Sequence, residues 1–417
     1  MPESTLEVTP LSTSERTNAA WAALVLLATA ELLGMSLWFT ASAVSPELQR
    51  VWGLSAAQAG WLTTVVQLGF VAGTAVAALL NLADVVPARW YFPACALLAA
   101  ASNWMLLATA TFATALGLRF LTGFFLAGVY PPAMKMIATW FAPARAGAIT
   151  RRGLAIGTIV GALTIGKALP YLLRAFEGLS YRDVIVSASL AAALAAGLVA
   201  STYRDGPHAF ARRPFSWSLV RVVVHNRETR LALSGYLGHM WELYAMWTLI
   251  ALFFRDHFVA RGNNTPESIA YAGTAGFVVI AAGGVGSVLA GAWADRLGRE
   301  RITIWAMAIS GLCALVTGFL VDVPSALVLA IAILWGFSVV ADSAQFSSII
   351  TEVAPAHAVG TALTLQTSLG FLLTAFSIWF ALAVQTRHGW AVAFALLAIG
   401  PALGILAMAR LRRLRAA

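Results

Sequence analysis

Marked only as apolar or polar, the chain reads as long apolar runs parted by short polar gaps. Crossing roughly 30 Å of hydrocarbon as a helix takes about 20 apolar residues. Twelve runs reach that length: 19–41, 57–80, 89–110, 112–136, 153–175, 182–202, 231–254, 270–293, 302–321, 324–349, 359–384 and 389–409. Only the gap 203–230 is long, and it parts the runs six from six. Lipid offers the backbone no hydrogen-bond partner, so each run must satisfy its own N–H and C=O groups, which a helix does. The pattern predicts an all-α membrane protein with twelve transmembrane helices in two six-helix bundles. Its expected parts are a tail 1–18, a bundle 19–202, a linker 203–230, a bundle 231–409 and a tail 410–417.

Composition excludes the soluble alternative. Of 417 residues, 60% are hydrophobic and 11% charged, against about 45–50% and about 25% in a soluble domain. The net charge of +9 does not imply nucleic acid, because the basic residues sit in the gaps. Their meaning is orientation. With the N-terminus inside, 18 basic residues fall on the cytoplasmic side, six on the outer side and three within spans. That bias places both termini and the linker in the cytoplasm and the protein in the cytoplasmic (inner) membrane. In the linker, Phe215, Trp217, Leu219, Val220 and Val222–Val224 are interleaved with Arg and His; an interfacial helix and a solvated connector both fit. The first 18 residues lack a basic n-region and a cleavage site, as expected of a short tail rather than a signal peptide. Cys95 and Cys313 both lie in apolar runs, so no disulfide framework is expected.

The two halves repeat. A shift of 211 residues lays Glu31 on Glu242, Leu32 on Leu243, Met35 on Met246, Gly73 on Gly284 and Ala83-Asp84 on Ala294-Asp295. Acidic matches in or beside apolar spans are rarely accidental. Two parallel, pseudo-symmetric bundles related by an axis along the membrane normal place a substrate site between them near the midplane.

Between spans eight and nine lies Gly291-Ala-Trp-Ala-Asp295-Arg296-Leu-Gly298-Arg299-Glu-Arg301. It resembles the G-x-L-x-D-R-x-G-R-R/K loop of the major facilitator superfamily. The resemblance implies the major facilitator fold and a cytoplasmic latch built from Gly291, Asp295, Arg296, Gly298 and Arg299. The equivalent loop after span two keeps only Asp84 and Arg89, so an asymmetric latch is expected. Arg119-Phe-Leu-Thr-Gly123 is similar to the superfamily's R-x-x-x-G pattern in span four. Tyr130-Pro-Pro-Ala-Met-Lys135 and Trp140-Phe-Ala-Pro-Ala-Arg145 resemble, over short stretches only, the nitrate/nitrite and cyanate permease-like branch.

Six ionisable groups lie inside spans: Glu31, Glu242 and Asp342 against Arg119, Lys135 and Lys167. Each costs on the order of 2.5–3.5 kcal/mol at a helix centre, so such residues face the bundle interior and partner one another or a ligand. Glu31 and Glu242 sit mid-span in the first helix of each half, and in the superfamily those helices line the central cavity. A carboxylate that loses its water as the cavity closes is suited to carrying a proton, with His239, three residues before Glu242, as a relay. Trp38, Trp241, Tyr244 and Trp247 surround the glutamates in sequence and fit a substrate pocket. Lys167, Arg119, Asp342 and Gln345 are the polar candidates for substrate contact. Ion pairing that merely locks helices explains Arg119 and Asp342 nearly as well. Snorkelling to the interface is the simpler account of Lys135.

Gly153, Gly157 and Gly161 recur every fourth residue in span five, as close helix packing requires. Gly161-Ala-Leu-Thr-Ile-Gly-Lys167-Ala168 imitates a phosphate loop, but Ala168 replaces the metal-binding hydroxyl and no strand precedes it. No metal cluster or nucleophile motif appears, so neither an enzyme nor a cofactor is expected. The reading is a monomeric secondary active transporter for a small polar or anionic solute, working by alternating access with protons as coupling ion. A multidrug/proton efflux antiporter is the alternative, against which Lys167 replaces the antiporter Gly-Pro pair. A non-transporting sensor or scaffold is a second; short tails leave it no soluble domain.

Overall fold

The computed structural model describes residues 13–80, 82–109, 111–141, 151–176, 179–208 and 216–416, and all regular structure among them is helical. The first half comprises α1 (Thr13–Met35), α2 (Thr40–Ala43), α3 (Ser45–Trp52), α4 (Ala56–Leu79), α5 (Leu82–Val85), α6 (Ala88–Trp104), α7 (Phe112–Leu126), α8 (Tyr130–Ala138), α9 (Arg152–Arg174) and α10 (Tyr181–Thr202). A linker helix, α11 (Trp217–His225), leads to α12 (Arg227–Ala260), α13 (Thr265–Leu297), α14 (Arg299–Thr317), α15 (Ser325–Ala341), α16 (Ser343–Val353), α17 (Val359–Leu397) and α18 (Ile399–Ala416). Eleven stretches are long and apolar enough to cross a membrane. The last, Val359–Ala416, holds two crossings: at Gly389 the backbone takes φ 78° and ψ −178°, a conformation only glycine adopts readily, and the chain turns back. The twelve expected spans are therefore present.

Spans four and ten are broken near their middles and span one towards its end. In span four, Tyr130 is followed by Pro131 and Pro132, which supply no backbone N–H and disfavour helix before them, so α7 stops and α8 restarts with proline in its first turn. In span one, residues 36–39 leave the helix, and the Ser36 hydroxyl donates to the carbonyls of Leu33 (2.7 Å) and Ala188 (3.3 Å). Helix starts are capped as the sequence dictates. Ser55 and Gln58 form a capping box at α4, and Ser180 and Asp183 another at α10. Asn226 accepts from Thr229 N–H at 2.8 Å, so α12 begins inside the stretch expected to be linker.

The halves meet most extensively along α9 and α13. Glycines face backbone there: a Cβ on Gly157 would lie 2.6 Å from Ser287 O, one on Gly161 2.7 Å from Gly284 O, and one on Gly291 2.6 Å from Gly153 O. The second seam, α4 against α17, packs side chain on side chain, with the Phe70 and Phe371 ring centroids 4.4 Å apart. It leaves a cavity of about 330 Å³ between the halves, at the end of the bundle away from the termini.

Candidate functional site

Lys167 enters the site because α9 lies directly on α1: any side chain at Gly166 would collide with the Leu32 backbone. The Lys167 side chain is fully buried. Its Nζ stands 3.9 Å from the Trp38 ring centroid, 4.6 Å from Tyr244 and 5.4 Å from Trp247, and it donates to the Tyr244 hydroxyl. Aromatic faces attract a cation most strongly where water is excluded. Trp38 comes from the break in span one and Tyr244 and Trp247 from α12, so the box spans both halves. Phe70 and Phe371 close it, at 5.1 Å and 5.7 Å from Trp38.

Glu31 lies on α1, seven residues before Trp38, or about 10 Å along the span. It is fully buried, and neither carboxylate oxygen has a hydrogen-bond partner. Lys167 and Tyr130 act on it electrostatically without bonding to it. Unpartnered polar atoms recur around the box: Trp38 Nε1, Trp247 Nε1, both amide atoms of Gln67, and Gln366 Oε1. Buried polar atoms in a native fold are almost always paired. Such a cluster at an interface is the signature of a place that water or a ligand fills.

The cavity stands directly above. Its lining includes Ser42, Thr63, Tyr171 and Thr248. Thr63, Tyr171 and Thr248 lie one helical turn from Gln67, Lys167 and Tyr244 in turn, because residues four apart share a helix face, and Ser42 lies four residues past Trp38. The box thus lies about one helical turn below the residues that line the cavity.

Arg119 lies outside the box. Fully buried, it donates to the carbonyls of Leu37 (3.0 Å), Trp38 (2.5 Å) and Leu62 (3.4 Å) and to Asn103 Oδ1 (3.1 Å). The Trp38 carbonyl is left without a backbone donor by the break in span one, so Arg119 holds the broken segment that presents Trp38. Glu242 does not face Glu31. It accepts from Ser310 Oγ (2.9 Å) and Trp335 Nε1 (2.7 Å), wholly within the second half. Nor does His239 serve Glu242: its Nδ1 lies 2.8 Å from Asp342 Oδ1 and its Nε2 2.9 Å from Ser343 Oγ. Trp241 donates to Leu396 O (3.1 Å) and packs on Phe376 and Phe380, away from Lys167. Of the candidates, Glu31, Trp38, Lys167, Tyr244 and Trp247 come together; Arg119, Glu242, His239, Asp342, Trp241 and Gln345 do not join them.

Gln345 belongs to the terminus-bearing end, where it accepts from Arg299 at 2.9 Å. Arg299 also pairs with Asp295 (3.6 Å) and Glu352 (2.7 Å), while Arg415 pairs with Glu300 and, at 3.2 Å, with Glu352. Asp295 crosses the seam: its carboxylate lies against Gly153 at the start of α9, where the positive end of a helix favours an anion. Gly298, at φ 90°, makes the joint between α13 and α14, and Arg296 is exposed. The Asp84 side chain and the stretch 142–150, with Arg145, lie outside the described residues.

The family model described as Major Facilitator Superfamily matches residues 26–262, more than half of the chain. This protein belongs to the major facilitator superfamily. The model described as Sugar (and other) transporter matches residues 236–412. A comparison with curated proteins finds no match. Among solved structures, the chain is similar to the proton:xylose symporter XylE bound to 6-bromo-6-deoxy-D-glucose. The TM-score is 0.71 at 15% identity, covering 95% of this chain and 96% of that one. As a superfamily member the protein is a secondary transporter with a multi-pass helical fold, not an enzyme.

Sequence reasoning passed over Gln67, Phe70, Tyr130, Phe371 and the partners of Glu242. A carboxamide in mid-span was a legible sign for Gln67; nothing local marks the others.

Proposed function

We propose that this transporter carries a small polar or anionic solute by alternating access, coupled to protons, with the solute at the Lys167 box and the proton on Glu31. One observation carries the reading: Glu31 is a fully buried carboxylate in the field of Lys167 whose two oxygens have no hydrogen-bond partner. A structural acid would be bonded, as Glu242 is. A carboxylate that must gain and lose a proton and face different partners in different states gains nothing from a fixed one. XylE, which this chain resembles in fold, is itself a proton symporter. With the termini in the cytoplasm, as the arginine bias favours, the cavity opens outward and the Asp295–Arg299–Glu352 network closes the cytoplasmic side.

The test is solute-evoked proton uptake in proteoliposomes holding a pH-sensitive dye, run over a panel of sugars, polyols and small anions. At least one solute should draw protons in, and Glu31→Gln should abolish the proton movement while leaving solute exchange between loaded vesicles. Proton movement that survives in Glu31→Gln would overturn the reading.

A further inference from the structure

The charges at the interface are too few to be indifferent to the charge of the cargo. Arg119 is bound to main-chain carbonyls inside the first half, and Glu242 and the His239–Asp342 pair are bound inside the second. Around the box, among the described residues, what remains between the halves is one cation and one acid. The ionisable groups acting on Glu31 are Lys167 of α9 and Tyr130 of α8, with Tyr236 and Tyr244 of α12 beyond them. No hydrogen bond joins Lys167 to Glu31, so the pair is held by field alone and a better-placed anion can replace the carboxylate. The unpartnered polar atoms of the rings that face Lys167, Trp38 Nε1 and Trp247 Nε1, are both donors. In the cavity above, Arg174 pairs with Glu47 at 3.0 Å and Arg255 with Asp256 at 2.7 Å, so among the described residues its lining adds no unpaired charge to that of Lys167.

We propose that the cargo is a singly charged oxyanion, organic carboxylates included, which takes the place of Glu31 as counter-charge to Lys167 while Glu31 accepts one proton. This rests on the proposed function and deepens it. The empty site holds Lys167 positive and Glu31 negative; the loaded site holds Lys167 positive, the anion negative and Glu31 neutral. Both sum to zero, so both can be occluded. An anion without its proton leaves a net negative charge in the hydrocarbon, and a proton without the anion leaves Lys167 unpaired. Either state is too costly to pass through the membrane. One proton accompanies each anion, and the cycle moves no net charge.

The experiment titrates purified full-length protein with lactate, benzoate and nitrate, and with myo-inositol and tetramethylammonium, following tryptophan fluorescence between pH 5.5 and 8.5. An anion should bind with a Kd that rises tenfold per pH unit on the alkaline limb, the slope of one linked proton. In Glu31→Gln the same anion should bind at all pH values with the acid-limit Kd, and in Lys167→Met its Kd should rise at least 100-fold. If Lys167→Met does not fold, the Glu31→Gln profile decides alone. In proteoliposomes, a valinomycin-imposed potential should leave accumulation unchanged while a pH gradient drives it. The inference is overturned if no anion of the panel binds, if Lys167→Met binds it unchanged, if Glu31→Gln keeps the wild-type slope, or if a potential alone drives accumulation. Binding of inositol or tetramethylammonium instead, with proton movement still lost in Glu31→Gln, would overturn it and leave the proposed function standing.

Discussion

Trp335 donates its indole N–H to Glu242 Oε1 at 2.7 Å, while Glu31, the residue 211 positions earlier in the repeat, accepts no hydrogen bond. Two glutamates equivalent in sequence are thus opposite in environment. Leaving a buried acceptor unpaired costs about 1–3 kcal/mol, so Trp335→Phe should destabilise the detergent-solubilised protein by that much, read from its thermal midpoint. Glu242→Gln should destabilise similarly yet retain gradient-driven accumulation. Loss of accumulation in a well-folded Glu242→Gln would restore the equivalence that the repeat implies.

Arg119 offers a second stability test. Removing it strands the Trp38 carbonyl and Asn103 Oδ1 in a buried place and takes a second donor from the Leu37 and Leu62 carbonyls. Breaking a buried charged network typically costs about 3–5 kcal/mol. Arg119→Ala should therefore express poorly. Arg119→Lys should fold with lowered stability, since one ammonium cannot reach groups that a planar fork spans. A stable, fully active Arg119→Ala would mean that the break in span one holds itself.

At the α9–α13 seam the prediction is steric. Gly157→Ala puts a Cβ about 2.6 Å from the Ser287 carbonyl, and overpacking of this kind costs about 1–3 kcal/mol. Gly197 is the control. It lies in α10 with nothing within 4 Å of an added Cβ, so Gly197→Ala should be neutral or stabilising by about 0.5–1 kcal/mol. Thermal midpoints of the two variants, read with transport rates, separate seam packing from general tolerance.

The terminus-end network should be weak in stability and strong in conformation. Arg299 and Glu352 are 19% and 38% exposed, and a pair of that exposure contributes about 0.2–1 kcal/mol, less in salt. A double-mutant cycle with Arg299→Gln and Glu352→Gln should return a coupling in that range. Each single variant should nevertheless raise labelling of a cysteine introduced at Ser287, since opening the seam exposes it. Unchanged labelling would show that the glycine packing alone keeps that end closed.

Membrane residence, twelve spans, the doubled halves and the Gly291–Arg301 loop were legible in the chain because each depends on local residue type or fixed spacing. Apolar length decides whether a helix can sit in lipid, whatever its neighbours are, and Pro131-Pro132 decide the break in span four. The partners of the buried charges were not legible. Glu31 and Glu242 have the same place in their spans, but Ser310 and Trp335 are 68 and 93 residues away from Glu242, and no pattern along the chain selects them. His239 is one turn from Glu242 in sequence, yet it turns to Asp342 on another span. Side-chain direction and the packing of helices within the second half set those pairings. Sequence alone thus determined that charge is buried in this membrane protein; only the tertiary structure decided which charge is bound and which is left for a ligand, because that choice is made by contacts across the bundle.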